Sequence, residues 1–77
     1  MSRLYKTEGV VLKRHYTGEA DALLTFCTPD RGKLRAIARG VRRPKSRLAG
    51  HLEPLTHCTM MLAEGRNLDI VSGCETL

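Results

Sequence analysis

ALLTFCTPDRGKLRAIAR, residues 22–39, is the segment that most strongly predicts the architecture of this chain. Its centre, PDRG at residues 29–32, combines the residue types that favour a tight reverse turn. Beyond the turn, small apolar residues alternate with charged ones, and Leu34, Ala36 and Ala38 share one set of alternate positions. A two-residue period is that of a β-strand with one buried and one solvated face. Residues 22–39 therefore predict a β-hairpin.

The flanking sequence supplies three more predicted strands, each bounded by turn-forming residues. In the first, Val10 and Leu12 lie on one face and Val11 on the other. The Met-rich segment after Pro54 has helix propensity, but that proline and the hairpin-type turn at the end of the segment favour a strand. The five predicted strands are residues 7–14, 22–28, 33–39, 55–63 and 68–72. They predict an all-β fold, a small closed or nearly closed barrel that forms one domain over residues 1–77.

Positive charge is concentrated in one part of the chain. Eight of the thirteen Lys and Arg residues lie within residues 31–47, and no acidic residue occurs between Asp30 and Glu53. Removing those eight charges from the formal net charge of +5 leaves −3 for the rest of the chain. Charge at this density is stabilised by a polyanion that neutralises it and releases condensed counterions. The distribution therefore predicts a phosphate backbone as partner.

The candidate binding residues form two groups, one on the third predicted strand and one in the loop after it. Lys33, Arg35 and Arg39 share one strand face, at about 6.6 Å per two-residue step. The loop, residues 41–50, contains Pro44, which excludes a helix interior, although a short helical turn at residues 46–49 is compatible with it. Its candidate cations are Arg42, Arg43, Lys45 and Arg47. Arg outnumbers Lys nine to four, which favours phosphate recognition over the alternative of an ordinary solvated surface.

Aromatic residues are too few for extensive base stacking. Phe26 lies in mid-strand beside Leu24 and is predicted to be a core residue, which leaves Tyr5 and Tyr16 as candidate surface aromatics. Single-strand binders normally combine a cationic groove with several such rings. We therefore predict that backbone electrostatics dominate, with weak sequence preference and strong salt dependence.

No motif indicates catalysis, a metal or a cofactor. Cys27, Cys58 and Cys74 are odd in number and widely spaced, so we predict reduced core residues and not a zinc or redox motif. His57 precedes Cys58 directly, and neighbours on a strand point to opposite faces, which argues against a nucleophile–base pair. The Gly-Lys step at residues 32–33 lacks the rest of a phosphate-binding P-loop. No signal peptide or membrane span is recognisable, and the chain is predicted to be cytoplasmic, with no membrane partner.

The segment GKLRAIARGVRRPKSRLAGHLEP, residues 32–54, resembles the N-terminal domain of the RecO family of bacterial recombination mediators. The similarity extends outward to the first predicted strand, to the Gly-Glu-Ala-Asp turn at residues 18–21 and to the Phe-Cys-Thr segment at residues 26–28. Two departures are Leu55, where an aromatic is common, and Glu53, where Gln is common. The resemblance covers nearly all 77 residues.

The resemblance implies an OB-fold at the head of a longer, nucleoid-associated protein whose missing later part is helical and in many members binds zinc. It implies single- and double-stranded DNA as ligands, and annealing of complementary strands, including strands coated by single-stranded-DNA-binding protein. It also implies RecR as a partner in recombinase loading during repair. By position, the family's DNA-contacting residues would be Lys33, Arg35 and Arg39, supported by Arg42, Arg43 and Lys45.

Two other functions fit the same residues. One is an RNA-binding barrel, since the fold accepts either nucleic acid. The other is a protein-docking module whose basic surface binds an acidic tail. The sequence alone does not separate these alternatives from DNA binding.

Overall fold

The computed structural model describes residues 3–18, 20–41 and 50–77 as a five-stranded β-barrel. The strands are β1 (Leu4–Thr17), β2 (Asp21–Thr28), β3 (Gly32–Ala38), β4 (His57–Ala63) and β5 (Asp69–Thr76). No helix occurs in these ranges, and hence none that is long and apolar enough to cross a membrane. The all-β prediction is confirmed, and the helical turn considered at residues 46–49 lies outside the described residues.

The barrel closes in the strand order β1-β2-β3-β5-β4, which is consistent with an OB-fold. The long first strand makes this closure, because its first half pairs with β4 and its second half with β2. The remaining seam is a parallel pairing of β3 with β5 through only two residue pairs, Ala36 with Asp69 and Ile37 with Ile70. The first strand therefore belongs to both sides of the barrel. The β3–β5 seam is the shortest strand pairing in the barrel.

The predicted alternation is present in the barrel interior. Phe26 is fully buried, as predicted, and Ala36 and Ala38 point inward opposite the exposed cations of β3. Thr28 ends β2 as a buried polar residue whose hydroxyl accepts the Arg31 N–H and donates to the Gly32 carbonyl, so the predicted turn is closed by this side chain. The buried apolar residues are Val11, Ala22, Leu24, Phe26, Ala36, Ala38, Val41, Leu52, Cys58, Met60, Leu62 and Val71.

The first strand does not keep a strict two-residue period. Its register against β2 shifts between Val11, which pairs with Phe26, and Lys13, which pairs with Thr25. Leu12 is thus an extra residue in β1, a β-bulge, and its side chain is exposed. The bulge reverses the facing of every later residue in the strand relative to an uninterrupted alternation.

Gly9 lies where β1 passes closest to its neighbours. A Cβ at this position would meet the Cys27 carbonyl oxygen at 3.1 Å, the Met60 methyl at 3.1 Å and the Thr28 methyl at 3.2 Å. All three distances are shorter than ordinary van der Waals contact. A larger residue here would therefore crowd β2 and β4, which approach β1 from both sides.

The cysteine prediction is correct for two residues and wrong for the third. Cys58 is buried and Cys74 half-buried, and burial raises the pKa of both thiols, that of Cys74 to about 12 with a contribution from its hydrogen bond with Cys58. Cys27 is exposed, because the residues on either side of it, Phe26 and Thr28, face inward.

The departure at Leu55 leaves the core intact. Its side chain is 80% exposed, so Leu55 takes no part in the packing of the barrel interior. The residue adopts a φ of 70°, and its N–H donates to the Val11 carbonyl at 2.7 Å. With this left-handed backbone, Leu55 bonds to β1 two residues before β4 begins at His57.

Candidate nucleic-acid interface

The candidate cations of the third strand point out of the barrel. Lys33 and Arg35 are exposed on β3, and they alternate with Leu34 and Ala36, which face the core. Arg39 is also exposed and lies one residue beyond the end of β3. The structure therefore brings Lys33 and Arg35 together on one strand face and sets Arg39 in the turn after the strand.

These three side chains have no ion-pair partner among the described residues. Within residues 3–18, 20–41 and 50–77, the ion pairs join Arg3 with Glu64 at 3.6 Å, Arg14 with Glu53 at 2.8 Å and His57 with Glu8 at 2.6 Å. None of them includes a candidate cation of β3 or of the turn after it. The other predicted site residues, Arg42, Arg43, Lys45 and Arg47, lie outside the described residues.

The neighbouring strands extend the cationic surface in rows across the sheet. Arg35 on β3 pairs with Thr25 on β2, and Thr25 pairs with Lys13 on β1. In the next row, Leu23 lies between His15 on β1 and Ile37 on β3. The β1–β3 face, as we call the outward surface formed by Lys13, His15, Leu23, Thr25, Cys27, Lys33, Arg35 and Ile37, therefore carries basic groups on both of its flanking strands.

The sequence did not predict Lys13 as a site residue because of the bulge at Leu12, nor His15, because the predicted first strand ended at residue 14. An uninterrupted alternation from the buried Val11 would turn Lys13 inward. The extra residue instead places Lys13 beside the outward Thr25, and His15 lies further along on the same side. The only signal in the sequence is two basic or titratable side chains at positions that a regular strand would bury.

A groove of about 490 Å³ lies on the β1–β3 face between the two flanking strands. Its lining includes three cations, two from β1 and one from β3, and no carboxylate of the described residues. The lining residues are Lys13, Arg14, His15, Leu23, Thr25 and Arg35. Arg14 is already partnered: it pairs with Glu53, which raises the pKa of its guanidinium, and it lies 4.9 Å from the centre of the Tyr16 ring.

The two tyrosines differ in environment. Tyr16 is 43% exposed near the end of β1, as the sequence allowed. Tyr5 is half-buried against the core, donates its hydroxyl to the Asp69 carboxylate and lies under the Arg31 guanidinium at 4.1 Å. Burial, with the Asp69 hydrogen bond second, raises the pKa of Tyr5 to about 12. Tyr5 is therefore not a surface aromatic, and Arg31 is directed towards it.

The opposite side of the barrel has mixed charge. We call it the β4–β5 face, the outward surface formed by Lys6, Glu8, Thr59, Met61, Gly73 and Glu75. Glu8 pairs with the exposed His57, whereas Cys58 next to it is buried, so these neighbours do point to opposite sides. In the part of the chain that the structure describes, no group of three or more His, Cys, Asp or Glu side chains could hold a metal ion.

Comparison with known proteins identifies the family. The family model described as "Recombination protein O N terminal" matches residues 1–77. The DNA repair protein RecO of a Nocardioides species is 53% identical over 74 residues, which are 96% of this chain and 30% of that protein. The DNA repair protein RecO of Bifidobacterium adolescentis is 54% identical over 74 residues, which are 30% of that protein. The DNA repair protein RecO of Heliobacterium modesticaldum is 52% identical over 73 residues, which are 27% of that protein. The chain thus spans about 30% of the length of these relatives, and it belongs to the family of RecO N-terminal domains.

Proposed function

We propose that this chain is a non-catalytic DNA-binding module that holds single- and double-stranded DNA through phosphate contacts. The observation that carries the proposal is the pair of outward cations on β3, Lys33 and Arg35, which have no ion-pair partner among the described residues, with Arg39 directly after the strand. An exposed cation without a carboxylate neighbour releases a condensed counterion from DNA when it binds a phosphate, which is the main source of affinity for such surfaces. Arg42, Arg43, Lys45 and Arg47 come shortly after these residues in the sequence and would add to the same contact.

The module would act in DNA repair as part of a longer protein. The relatives that it matches are named DNA repair proteins, and the chain covers about 30% of their length. Neutralising the repulsion between two backbones supports annealing of complementary strands. Recombinase loading, with RecR and single-stranded-DNA-binding protein as partners, belongs to the same proposal and rests on the family alone.

The proposal predicts a characteristic salt dependence. If roughly five phosphates are neutralised, the slope of log K against log salt on single strands is about −3.5. Contacts to phosphates carry no sequence information, so affinity is expected to vary little among oligonucleotides of equal length. A fluorescence anisotropy titration at several salt concentrations measures both quantities.

A triple substitution tests the assignment of residues. Changing Lys33, Arg35 and Arg39 to Ala removes three phosphate contacts, so we expect about a 100-fold loss of single-strand affinity near 0.1 M salt and a slope less steep by about 2. The matched control changes three exposed cations elsewhere, Arg3, Lys6 and Arg66, to Ala and removes the same net charge.

Equal losses of affinity in the two triple variants would mean that net charge alone causes the effect. Unchanged affinity after substitution of Lys33, Arg35 and Arg39 would exclude these residues as the DNA-binding site. Competition with an RNA oligonucleotide of the same sequence and with an acidic peptide, run on the wild-type protein, separates DNA binding from the two alternative functions. Preferential displacement by either competitor would replace the proposal with that alternative.

A further inference from the structure

The groove on the β1–β3 face has the features of a phosphate site that lies beside the cations of β3. Its walls come from β1 and β3, two strands apart, which is about 10 Å for regular strand spacing. Lys13 lines it from β1 and Arg35 from β3, and Thr25 lies between them in the same row and offers a hydroxyl. A phosphate in the groove would therefore meet a cation from each side and a hydrogen-bond donor beneath it.

Among the described residues that line the groove, His15 alone carries an imidazole, a side chain that becomes a cation when it binds a second proton. It lies on the same outward side of β1 as Lys13, two residues further along, opposite Leu23. The nearest outward carboxylate among the described residues is Asp21, diagonally across on β2, and its oxygen accepts the Gly40 N–H at 2.7 Å. The Glu53 carboxylate is paired with Arg14. Apart from Arg14, the described charged groups around His15 are thus Lys13, Arg35 and a hydrogen-bonded Asp21.

We propose that this groove binds one phosphate of single-stranded nucleic acid between Lys13 and Arg35, and that His15, when protonated, adds a further contact that tightens binding in mild acid. The inference rests on the proposed function and deepens it, since it directs the bound strand across β1, β2 and β3 instead of along β3 alone. The bulge at Leu12 is the feature that gives the first strand its share of the site.

The size of the effect is set by counterion release. One additional phosphate contact on a single strand steepens the log–log salt slope by about 0.7, which is about fivefold in affinity near 0.1 M salt. Loss of the Lys13 contact should lower the affinity by the same factor. Oligothymidylate is the suitable probe, because thymine does not gain a proton in mild acid.

The experiment measures binding of labelled oligothymidylate by anisotropy at about pH 8 and about pH 5.5, where an imidazole is mostly neutral and mostly charged. In the wild-type protein, acidification should raise affinity about fivefold and steepen the salt slope by about 0.7. In His15→Gln the gain should disappear, while in His57→Gln, which alters the residue paired with Glu8 on another side of the barrel, it should remain. Lys13→Ala should lose about fivefold at both pH values.

The outcomes separate this inference from the function on which it rests. If Lys13→Ala and His15→Gln both bind like the wild type while the Lys33, Arg35 and Arg39 substitution still weakens binding, the groove is not a phosphate site and the DNA-binding proposal stands. If the acid gain persists in His15→Gln, it comes from another group and the role of His15 is overturned. If that triple substitution has no effect, the proposed function itself fails. Circular dichroism of each variant confirms that the barrel is folded.

Discussion

The two outward faces of the barrel differ in how their charged side chains are paired. On the β1–β3 face, Lys33 and Arg35 have no carboxylate partner among the described residues. On the β4–β5 face, Lys6 lies among two glutamates, and one of these, Glu8, is paired with His57 at 2.6 Å. A protein that needed only solubility would intersperse both signs on both sides. The asymmetry therefore supports the proposal that the β1–β3 face is the one that binds DNA.

The first strand connects the two faces and makes them different. Before the bulge it contributes Lys6 and Glu8 to the β4–β5 face, and after it Lys13 and His15 to the β1–β3 face. A substitution where β1 passes from one face to the other should change the stability of the whole barrel. A substitution on one face should change only the function of that face. Substitutions at the crossing and on each face can therefore distinguish the stability of the barrel from its binding.

The largest effect is expected at Gly9, where β1 crosses between the faces. Gly9→Ala adds a methyl group that would lie within 3.2 Å of the Cys27 carbonyl oxygen, the Met60 side chain and the Thr28 side chain. Overpacking of this kind destabilises a folded protein by about 2 kcal/mol. Urea unfolding followed by circular dichroism measures the loss.

Gly73→Ala is the matched control for that substitution. A methyl group at this position on the β4–β5 face would meet only the Met61 Cβ, at an ordinary contact distance of 3.7 Å. We expect a change well below that of Gly9→Ala. Equal destabilisation in the two variants would mean that any added methyl group in a strand, and not the close approach at the crossing, is responsible.

The next effect concerns the charge asymmetry itself. Arg35→Glu removes one phosphate contact and adds an unfavourable charge in the same row as Lys13, so single-strand affinity should fall about 25-fold near 0.1 M salt. Lys6→Glu makes the same change of net charge on the β4–β5 face and should change affinity by only about twofold, because exposed charges beyond a Debye length of about 10 Å are largely screened. Similar losses in both variants would remove the distinction between the faces.

The smallest effect is a loss of stability at high pH that arises away from both faces. The pKa of Tyr5 is raised from 10.0 to about 12 in the folded protein, so between these values the unfolded chain releases the phenol proton and the folded chain keeps it. Stability from this group is complete below about pH 10 and declines as pH rises towards 12. The decline should be smaller in Tyr5→Phe, as measured by urea unfolding at about pH 9 and about pH 11. An identical decline in both proteins would assign it to other groups.

Much of the barrel was predictable because alternation survives in its middle strands. The PDRG turn and the inward positions of Ala36, Ala38, Met60 and Leu62 obey a period of two, and the structure has the predicted hairpin at Asp21–Thr28 and Gly32–Ala38. The first and last strands were predicted too short, since β1 begins at Leu4 and ends at Thr17 while β5 continues to Thr76. The start of β1 is fixed by pairing with β4, more than forty residues away, and its end by the turn into β2. The end of β5 is fixed by the pairing of Thr76 with Cys58 of β4, which a local pattern does not contain either.

The candidate site was predictable in part for the same reason. Lys33 and Arg35 lie on a regular strand, so their outward facing could be derived from their spacing. Lys13 could not be placed, because one extra residue at Leu12 reverses the facing of the later residues of β1. Tyr5 could not be placed either, because its partner Asp69 is distant in the sequence. The roles of Lys33, Arg35 and Arg39 in binding DNA, and of the loop residues after them, remain predictions until the triple variant is measured.

The short seam between β3 and β5 is the place where this barrel should open first. Every other neighbouring pair of strands is joined through at least six residue pairs, whereas this one has two. Parting the cylinder along that line breaks the fewest backbone hydrogen bonds and leaves a continuous sheet with β3 at one margin and β5 at the other. Amide hydrogens that bridge β3 and β5 should accordingly exchange with solvent before those shared by β1 and β4.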